Sequence, residues 1–240
     1  MRFSRVVLFL SFVVILSVSA RAQDVVYSQY DKFDYRNDEY AIVGMAGGSF
    51  YAYRSTSDGA MLEAFDDSMN KTAMVLLDFF PSRIYQVRFI AYPDKIIILY
   101  QALESNKVVQ YAALLDSKGR LINKPIELGS TKTGIFGATK TYFQSTYSEN
   151  KKWILIYTAS DKGDAIEFDG KWLDDKLAIV KKSRIAFKAE NTAEHGEVNI
   201  GNDGTVYMAG YTPTGASNYA DQFWILTAAP GATKFEPREL

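Results

Sequence analysis

Apolar and polar residues alternate along this chain in short runs, and the runs do not follow the period of a helix. They are rich in Val, Ile, Tyr, Phe and Leu, and no segment after residue 22 shows a convincing helical period. Clusters of Asn, Asp, Gly and Ser separate the runs at about the 8–15 residue spacing expected of antiparallel hairpins. The clusters lie at 57–59, 67–71, 93–94, 104–107, 116–119, 148–151, 160–163, 202–204 and 230–231. The pattern therefore predicts an all-β fold.

A longer repeat is superimposed on this alternation. Four apolar strands end in a tyrosine, and these tyrosines (Tyr53, Tyr100, Tyr157 and Tyr211) are 47, 57 and 54 residues apart. Each such strand is followed by a turn, a strand, a second turn and a further strand. The clearest units predict strands at 84–92, 95–102, 107–115 and 120–128, at 142–147, 152–159, 165–172 and 177–187, and at 197–200, 205–211, 222–228 and 233–236.

A four-stranded antiparallel unit that repeats every ~40–50 residues is typical of a β-propeller blade. The continuous apolar second strand, as at 96–100, fits burial on both faces between neighbouring blades. On this pattern residues 41–240 resemble the broad β-propeller class, in the WD40-like sense of about four degenerate blades. No Trp-Asp pair and no Gly-Gly kelch doublet recurs in register, so no specific family is indicated. A β-sandwich is the alternative, because similar strand spacing arises there without radial symmetry.

The last repeat ends at residues 237–240, where its fourth strand has barely begun. One expectation is that the chain is truncated at the C-terminus and forms an incomplete arc of a larger propeller. The other is that residues 25–30, within an N-terminal segment at 23–40, supply a closing strand that removes both sheet edges. We favour the first, because terminal repeats usually carry polar caps and this end carries none.

The first 22 residues have the features of a secretory signal peptide. Arg2 and Arg5 precede an apolar run at 6–18 that is broken only by two serines, and Ala20-Arg21-Ala22 supplies a small-x-small cleavage pattern before Gln23. The run is shorter than the ~20 apolar residues of a membrane span. We therefore expect a secreted or periplasmic protein of the bacterial envelope, with no membrane span in the mature chain.

Composition narrows the classes of partner. Loss of the three signal-peptide arginines leaves a net charge of about −4, which argues against nucleic acid or an anionic membrane surface as partner. The chain contains no cysteine, which excludes disulfides, thiolate metal sites, a cysteine nucleophile and a lipidated cysteine.

Candidate catalytic and metal-binding residues are few. His195 is the only histidine, and its surroundings, Glu194-His195-Gly196, are typical of a solvated loop. No motif marks a Ser-His-Asp set, and a zinc site is not expected with one histidine and no cysteine. The densest acidic run offers oxygen ligands for Ca²⁺, but its spacing differs from an EF-hand and fits the solvated face of a hairpin. It consists of Asp161, Asp164, Glu167 and Asp169.

Three further groups have both a structural and a functional interpretation. Asp66-Asp67 and Asp174-Asp175 are assigned to turn capping. Gly44, Gly47 and Gly48 lack the Lys-Ser or Lys-Thr and the helix of a phosphate loop, so we predict a β-bulge or a close approach of backbones. The N-terminal aromatic residues are suited either to stacking on sugars or peptides or, as we favour, to a strand packed on the first unit. They are Tyr27, Tyr30, Phe33, Tyr35 and Tyr40.

Three hypotheses about function follow. The first is a non-catalytic secreted binding or scaffold module whose partner is a protein, peptide or glycan at the cell envelope. The second is a carbohydrate-active hydrolase or lyase with carboxylates lining the channel. The third is a structural N-terminal part of a larger cell-envelope protein. The sequence assigns no residue to catalysis or binding, and it predicts no metal and no cofactor.

Overall fold

A computed structural model describes residues 25–30, 32, 34, 36–132, 142–214 and 219–240. The predicted signal peptide at residues 1–22 and the predicted new terminus, Gln23, lie outside the described residues. The regular structure of the described residues consists of sixteen strands in four antiparallel sheets, without a helix. The prediction of an all-β fold is confirmed.

The four sheets follow one another along the chain, and each contains four consecutive strands. Sheet 1 contains β1 (Glu39–Ala46), β2 (Ser49–Thr56), β3 (Gly59–Phe65) and β4 (Lys71–Leu76). Sheet 2 contains β5 (Ile84–Ala91), β6 (Lys95–Glu104), β7 (Lys107–Asp116) and β8 (Ile126–Lys132). Sheet 3 contains β9 (Gln144–Tyr147), β10 (Ile154–Lys162), β11 (Ala165–Leu173) and β12 (Ile179–Lys188). Sheet 4 contains β13 (Glu194–Ile200), β14 (Val206–Pro213), β15 (Ala220–Ala228) and β16 (Glu236–Glu239).

The strand bounds of sheets 2, 3 and 4 lie within three residues of the sequence prediction, with the exception of β8. β8 begins at Ile126 and not at residue 120, because the preceding residues form a turn that is closed by an isolated bridge between Leu115 and Leu121. The fourth sheet contains a fourth strand, since β16 pairs with β15 from Trp224↔Glu239 to Thr227↔Glu236. The last repeat therefore contains four paired strands.

Three hydrophobic clusters join consecutive sheets. The first contains residues of sheets 1 and 2, the second residues of sheets 2 and 3, and the third residues of sheets 3 and 4. The second strand of each inner sheet contributes to two clusters by strand alternation. In β6, Ile96 and Ile98 belong to the first cluster, whereas Ile97 and Leu99 belong to the second. The predicted burial of this strand on both faces is confirmed, and the sheets stack in chain order.

At one end of the stack of sheets, hydrogen bonds from side chains and turns join neighbouring sheets. At this end the first strand of each sheet turns into the second, and the third into the fourth. The Gly47 amide donates to the Pro93 carbonyl over 2.8 Å between sheets 1 and 2. The Tyr92 hydroxyl donates to the Lys151 carbonyl over 2.8 Å between sheets 2 and 3. The Trp172 indole donates to the Gly204 carbonyl over 2.7 Å between sheets 3 and 4.

An aspartate begins the turn from the third strand to the fourth in sheets 1, 2 and 3. The carboxylates of Asp66, Asp116 and Asp174 each accept hydrogen bonds from the amides two and four residues later. The residue at the fourth position of each turn has a positive φ. Those residues are Met69, Gly119 and Leu177. The predicted capping roles of Asp66 and Asp174 are confirmed, whereas Asp175 accepts a hydrogen bond from the Lys95 ammonium of sheet 2 instead.

The glycines at the start of sheet 1 have the structural role that the sequence predicted. The register of β1 on β2 shifts between Ile42 and Gly44, which marks a β-bulge, and Gly44 has a φ of 121°. A Cβ on Gly44 would lie 3.1 Å from the Cβ of Ala91, the last residue of β5 in sheet 2. Gly47 and Gly48 form the β1–β2 turn with positive φ.

Candidate functional site

One polar cleft is bordered by the first strands of sheets 2, 3 and 4. We call it the inner cleft. Arg88 of β5, residues 144–146 of β9 and residues 195–199 of β13 line it, together with Tyr157 of β10. Strand alternation turns the Arg88 side chain to the cleft, while its neighbours Val87 and Phe89 pack against the first hydrophobic cluster.

Tyr157 links the hydrophobic core to the inner cleft. Its ring belongs to the third cluster and stacks on Phe168, with ring centroids 5.7 Å apart and planes inclined by 22°. Its hydroxyl lies 3.4 Å from Oε1 of Gln144, the residue opposite it in the β9–β10 pair. The core thus fixes the ring, and the hydroxyl is held at the cleft.

The charges around the inner cleft act on the Tyr157 phenol. Burial raises the pKa of Tyr157 above its ordinary value of 10.0; the positive charge of Arg88 lowers it, and the negative charge of Glu197 raises it. The net shift is upward, so the phenol is protonated at neutral pH and can donate a hydrogen bond. The cleft therefore offers a cation, a carboxylate and neutral donors to a ligand.

His195 is a strand residue, and its interpretation as a solvated loop residue is wrong. It lies in β13, and its side chain is 22% exposed. The Nδ1 atom lies 2.6 Å from Oδ1 of Asp161, and the His195 backbone amide donates to the same oxygen over 3.0 Å. Asp161 is near the end of β10, so the pair bridges sheets 3 and 4 and orients the imidazole at the rim of the cleft.

The structure separates the members of the acidic run. Asp161 pairs with His195, Asp164 lies 3.2 Å from the Lys188 ammonium, and Asp169 accepts from the Arg184 guanidinium over 2.8 Å. Within the described ranges, no group of three His, Cys, Asp or Glu side chains is placed to hold a metal ion. Asp161, Asp164 and Asp169 thus each contact a different side chain along the sheet surface.

Glycoside hydrolysis requires a carboxylic acid whose pKa is raised. In the described part of the chain, the carboxyl groups with a shifted pKa all have a lowered one. They are Asp34, Asp66, Asp116, Asp175 and Asp203. For Asp175 the main cause is the hydrogen bond that it accepts from the Lys95 ammonium over 2.5 Å. These shifts give the hydrolase hypothesis no support, and it stays a prediction.

The N-terminal aromatic residues lie apart from the inner cleft. Phe33 and Tyr35 are outside the described residues, while Tyr27, Tyr30 and Tyr40 are exposed. Residues 25–30 form no strand, although the Lys32 carbonyl accepts a hydrogen bond from the Arg54 guanidinium of β2. The segment therefore contacts sheet 1 without pairing, and ring closure through it stays a prediction.

The sequence matches no protein-family model and no curated protein. Among the residues that the structure describes, no helix is long and apolar enough to cross a membrane.

Proposed function

We propose that the mature chain is a secreted, non-catalytic binding or scaffold module of the β-propeller type. The support for the propeller is the stacking of four four-stranded sheets in chain order, with a separate core at each junction. A β-sandwich is the alternative architecture. In a propeller the first strands of the blades border the central channel. The proposal is supported by the inner cleft, since the first strands β5, β9 and β13 border it.

The inner cleft is the proposed binding surface. The observation that supports this proposal most directly is the mixture of hydrogen-bond donors and acceptors along the cleft. Arg88, Gln144, Glu197 and Asn199 offer donors and acceptors from three separate sheets. A ligand with several hydrogen-bonding groups would contact all three sheets at once. The proposed partner is accordingly a protein, peptide or glycan of the cell envelope.

Binding to peptide and glycan arrays tests this proposal. We expect the mature chain, residues 23–240, to bind members of one class, and Arg88→Ala to weaken that binding by about tenfold. Arg184→Ala is the matched control, because Arg184 is an exposed arginine of the outer strand β12. Isothermal titration calorimetry with the best array member measures the affinity. Equal affinities for the wild type and Arg88→Ala would exclude the inner cleft as the binding surface.

The same glycans distinguish a binding module from a hydrolase. Incubation with the wild-type chain should release no new reducing ends, because the carboxyl groups with shifted pKa are shifted towards ionisation. Release that the wild type supports and a Glu197→Gln variant loses would favour the hydrolase hypothesis.

We also propose export to the periplasm or the medium, supported by the predicted signal peptide. Expression of the full chain in a bacterium should yield a periplasmic protein whose first residue is Gln23. Mass spectrometry of the purified protein measures that terminus. A chain that retains residues 1–22 in the cytoplasm would contradict the proposal.

A further inference from the structure

Arg88 of β5 is a half-buried cation that has no hydrogen-bond or ion-pair partner in the described part of the chain. The other half-buried lysines and arginines of this part each have one. They are Arg54, Lys95, Lys151 and Lys171, and their partners are Asp38, Asp175 and the carbonyls of Ala91 and Leu128. A guanidinium carries five N–H donors, which need acceptors wherever water is partly excluded. Arg88 therefore has its donors ready for an acceptor from outside the chain.

The core fixes the direction of the Arg88 side chain. Val87 and Phe89 pack against the first hydrophobic cluster, so Arg88 lies on the opposite side of β5. Ile90, on the same side as Arg88, is fully buried between sheets 2 and 3. The guanidinium thus reaches the inner cleft from an anchored strand, beside the amide of Gln144. A planar guanidinium held in this way is suited to a carboxylate, which it can bind through two parallel hydrogen bonds.

Glu197 of β13 brings a charge of the opposite sign to the cleft. It has no ion-pair partner among the residues that the structure describes. Burial has the largest effect on the pKa of Tyr157 and raises it; the charge of Arg88 lowers it, and that of Glu197 raises it. Both charges therefore lie near one phenol, although they form no ion pair with each other. The cleft thus presents a cation and an anion that are separated by a neutral hydrogen-bond donor.

The acidic groups next to the cleft already accept hydrogen bonds. Asp161 accepts from the backbone amide of His195 over 3.0 Å, and its carboxylate also contacts the imidazole. Glu194 accepts from the Tyr211 hydroxyl over 2.8 Å. The two charges that remain for a ligand are those of Arg88 and Glu197.

We propose that the ligand of the inner cleft is a short zwitterionic peptide, with its carboxylate on Arg88 and its ammonium group near Glu197. This inference rests on the proposed binding role of the cleft and adds the class of ligand. The volume of the cleft, about 520 Å³, is that of a small-ligand site. A glycan that carries only carboxylates would be repelled by Glu197, and a neutral glycan would leave both charges without a counter-charge.

Isothermal titration calorimetry with dialanine, trialanine and tetraalanine tests the inference. Each peptide is used with free termini, as the C-terminal amide, as the N-acetyl derivative and with both termini blocked. The free form of at least one length should bind to the mature chain. Blocking either terminus should weaken that binding by about tenfold, because one charged contact is lost.

Variants of the two charged residues identify the terminus that each one binds. Arg88→Ala should weaken binding of the free peptide by about tenfold and leave the affinity for the amide at its wild-type value. Glu197→Gln should do the same with the N-acetyl derivative in place of the amide. A general loss of structure would weaken every form alike. Arg184→Ala and Glu167→Gln are the matched controls, because both residues are exposed and lie outside the cleft.

The outcomes distinguish this inference from the proposed function. Binding of a neutral or acidic glycan that Arg88→Ala weakens, without binding of the free peptides, would retain the cleft as a binding surface and overturn the peptide assignment. Equal losses of affinity for the free and the amidated peptide in Arg88→Ala would also overturn it. If Arg88→Ala changes the affinity for no peptide and no glycan, the proposed function fails as well.

Discussion

At the residue scale, Tyr51 and Tyr92 have rings that pack against the hydrophobic clusters and hydroxyl groups that bond across sheet junctions. The Tyr51 hydroxyl donates to the Ser117 carbonyl between sheets 1 and 2, and the Tyr92 hydroxyl donates to the Lys151 carbonyl between sheets 2 and 3. A phenol is suited to this position because its ring is apolar and its hydroxyl still finds a partner when buried. The ionisation of these phenols therefore bears on how the sheets hold together.

Tyr92 should make the fold sensitive to alkaline pH. Burial raises the pKa of Tyr92 from 10.0 to about 12, with further contributions from nearby acidic groups such as Asp175. Because the pKa of Tyr92 is higher in the folded state than in the unfolded state, the stability that the protonated phenol contributes is fully present below pH 10. That contribution is lost as the pH rises towards 12. The melting temperature measured against pH should fall in this window, and less steeply for Tyr92→Phe. An equally steep fall in Tyr92→Phe would assign the effect to other groups, and Tyr207→Phe, an exposed tyrosine, is the control.

Asp66 should have the opposite pH dependence. Hydrogen bonds from Asn70 and Ser68 lower the pKa of Asp66 below 3.8, so the stability that it adds is present above that value and is lost as the pH falls below it. Asp66→Ala should lower the melting temperature at neutral pH, and the difference from the wild type should shrink in acid. Asp67→Ala, at the neighbouring exposed carboxylate, should change little. Equal effects of the two substitutions would contradict the capping role.

At the element scale, the second strands of the inner sheets are buried on both faces and bear most directly on stability. Ile97 and Ile98 are adjacent in β6, both are fully buried, and they belong to different hydrophobic clusters. The sequence predicts this from the uninterrupted apolar run, since a strand with one solvated face would alternate. The consequence is that two neighbouring side chains stabilise two different junctions.

Truncation of Ile97 and truncation of Ile98 should destabilise the fold to a similar extent. Ile97→Ala and Ile98→Ala should each lower the free energy of unfolding by about 2–5 kcal/mol, the usual cost of a large-to-small change in a core. Urea denaturation measures the loss, and Val180→Ala, at an exposed apolar position, should cost much less. A small loss for only one of the two isoleucines would mean that one junction is loosely packed.

The strand pattern and the turns could be predicted because both are local. Alternation gives the strands of sheets 2, 3 and 4, and the Asp and Gly turns give most of their ends. The side of the sheet on which each of the four repeat tyrosines lies could not be predicted, and the structure shows that these tyrosines are not equivalent. Tyr53 and Tyr157 face the following sheet, whereas Tyr100 packs in the cluster with sheet 1. A register change of one residue reverses the face and leaves the apolar run intact.

At the scale of the whole molecule, protection from solvent should fall from the second strand of each sheet to the fourth. The fourth strands β4 and β16 are largely exposed, while β6 is almost entirely buried. Hydrogen exchange followed by mass spectrometry should show the slowest exchange in β6 and β10 and the fastest in β4, β12 and β16. Uniform exchange rates across a sheet would contradict this order.

The inner cleft could not be predicted, because its residues are brought together only by the stacking of sheets. Arg88, Gln144 and Glu197 belong to three sheets, and no motif spans them. The His195–Asp161 pair joins residues 34 positions apart, so its members carry no local signal of each other. A comparison of the first strands of the repeats would have been the one useful signal, since Arg88, Gln144 and Glu197 all lie on such strands.

The aspartate that begins the turn before the fourth strand occurs in the same way in sheets 1, 2 and 3. Each of Asp66, Asp116 and Asp174 accepts hydrogen bonds from the amides two and four residues later, and in each turn the residue three positions later has a positive φ. Each of these aspartates uses its own carboxylate to satisfy backbone amides that the reversing chain would otherwise leave unpaired. The direction in which the fourth strand returns along the third is therefore set by a few neighbouring residues in three sheets, and not by the core that the sheets share.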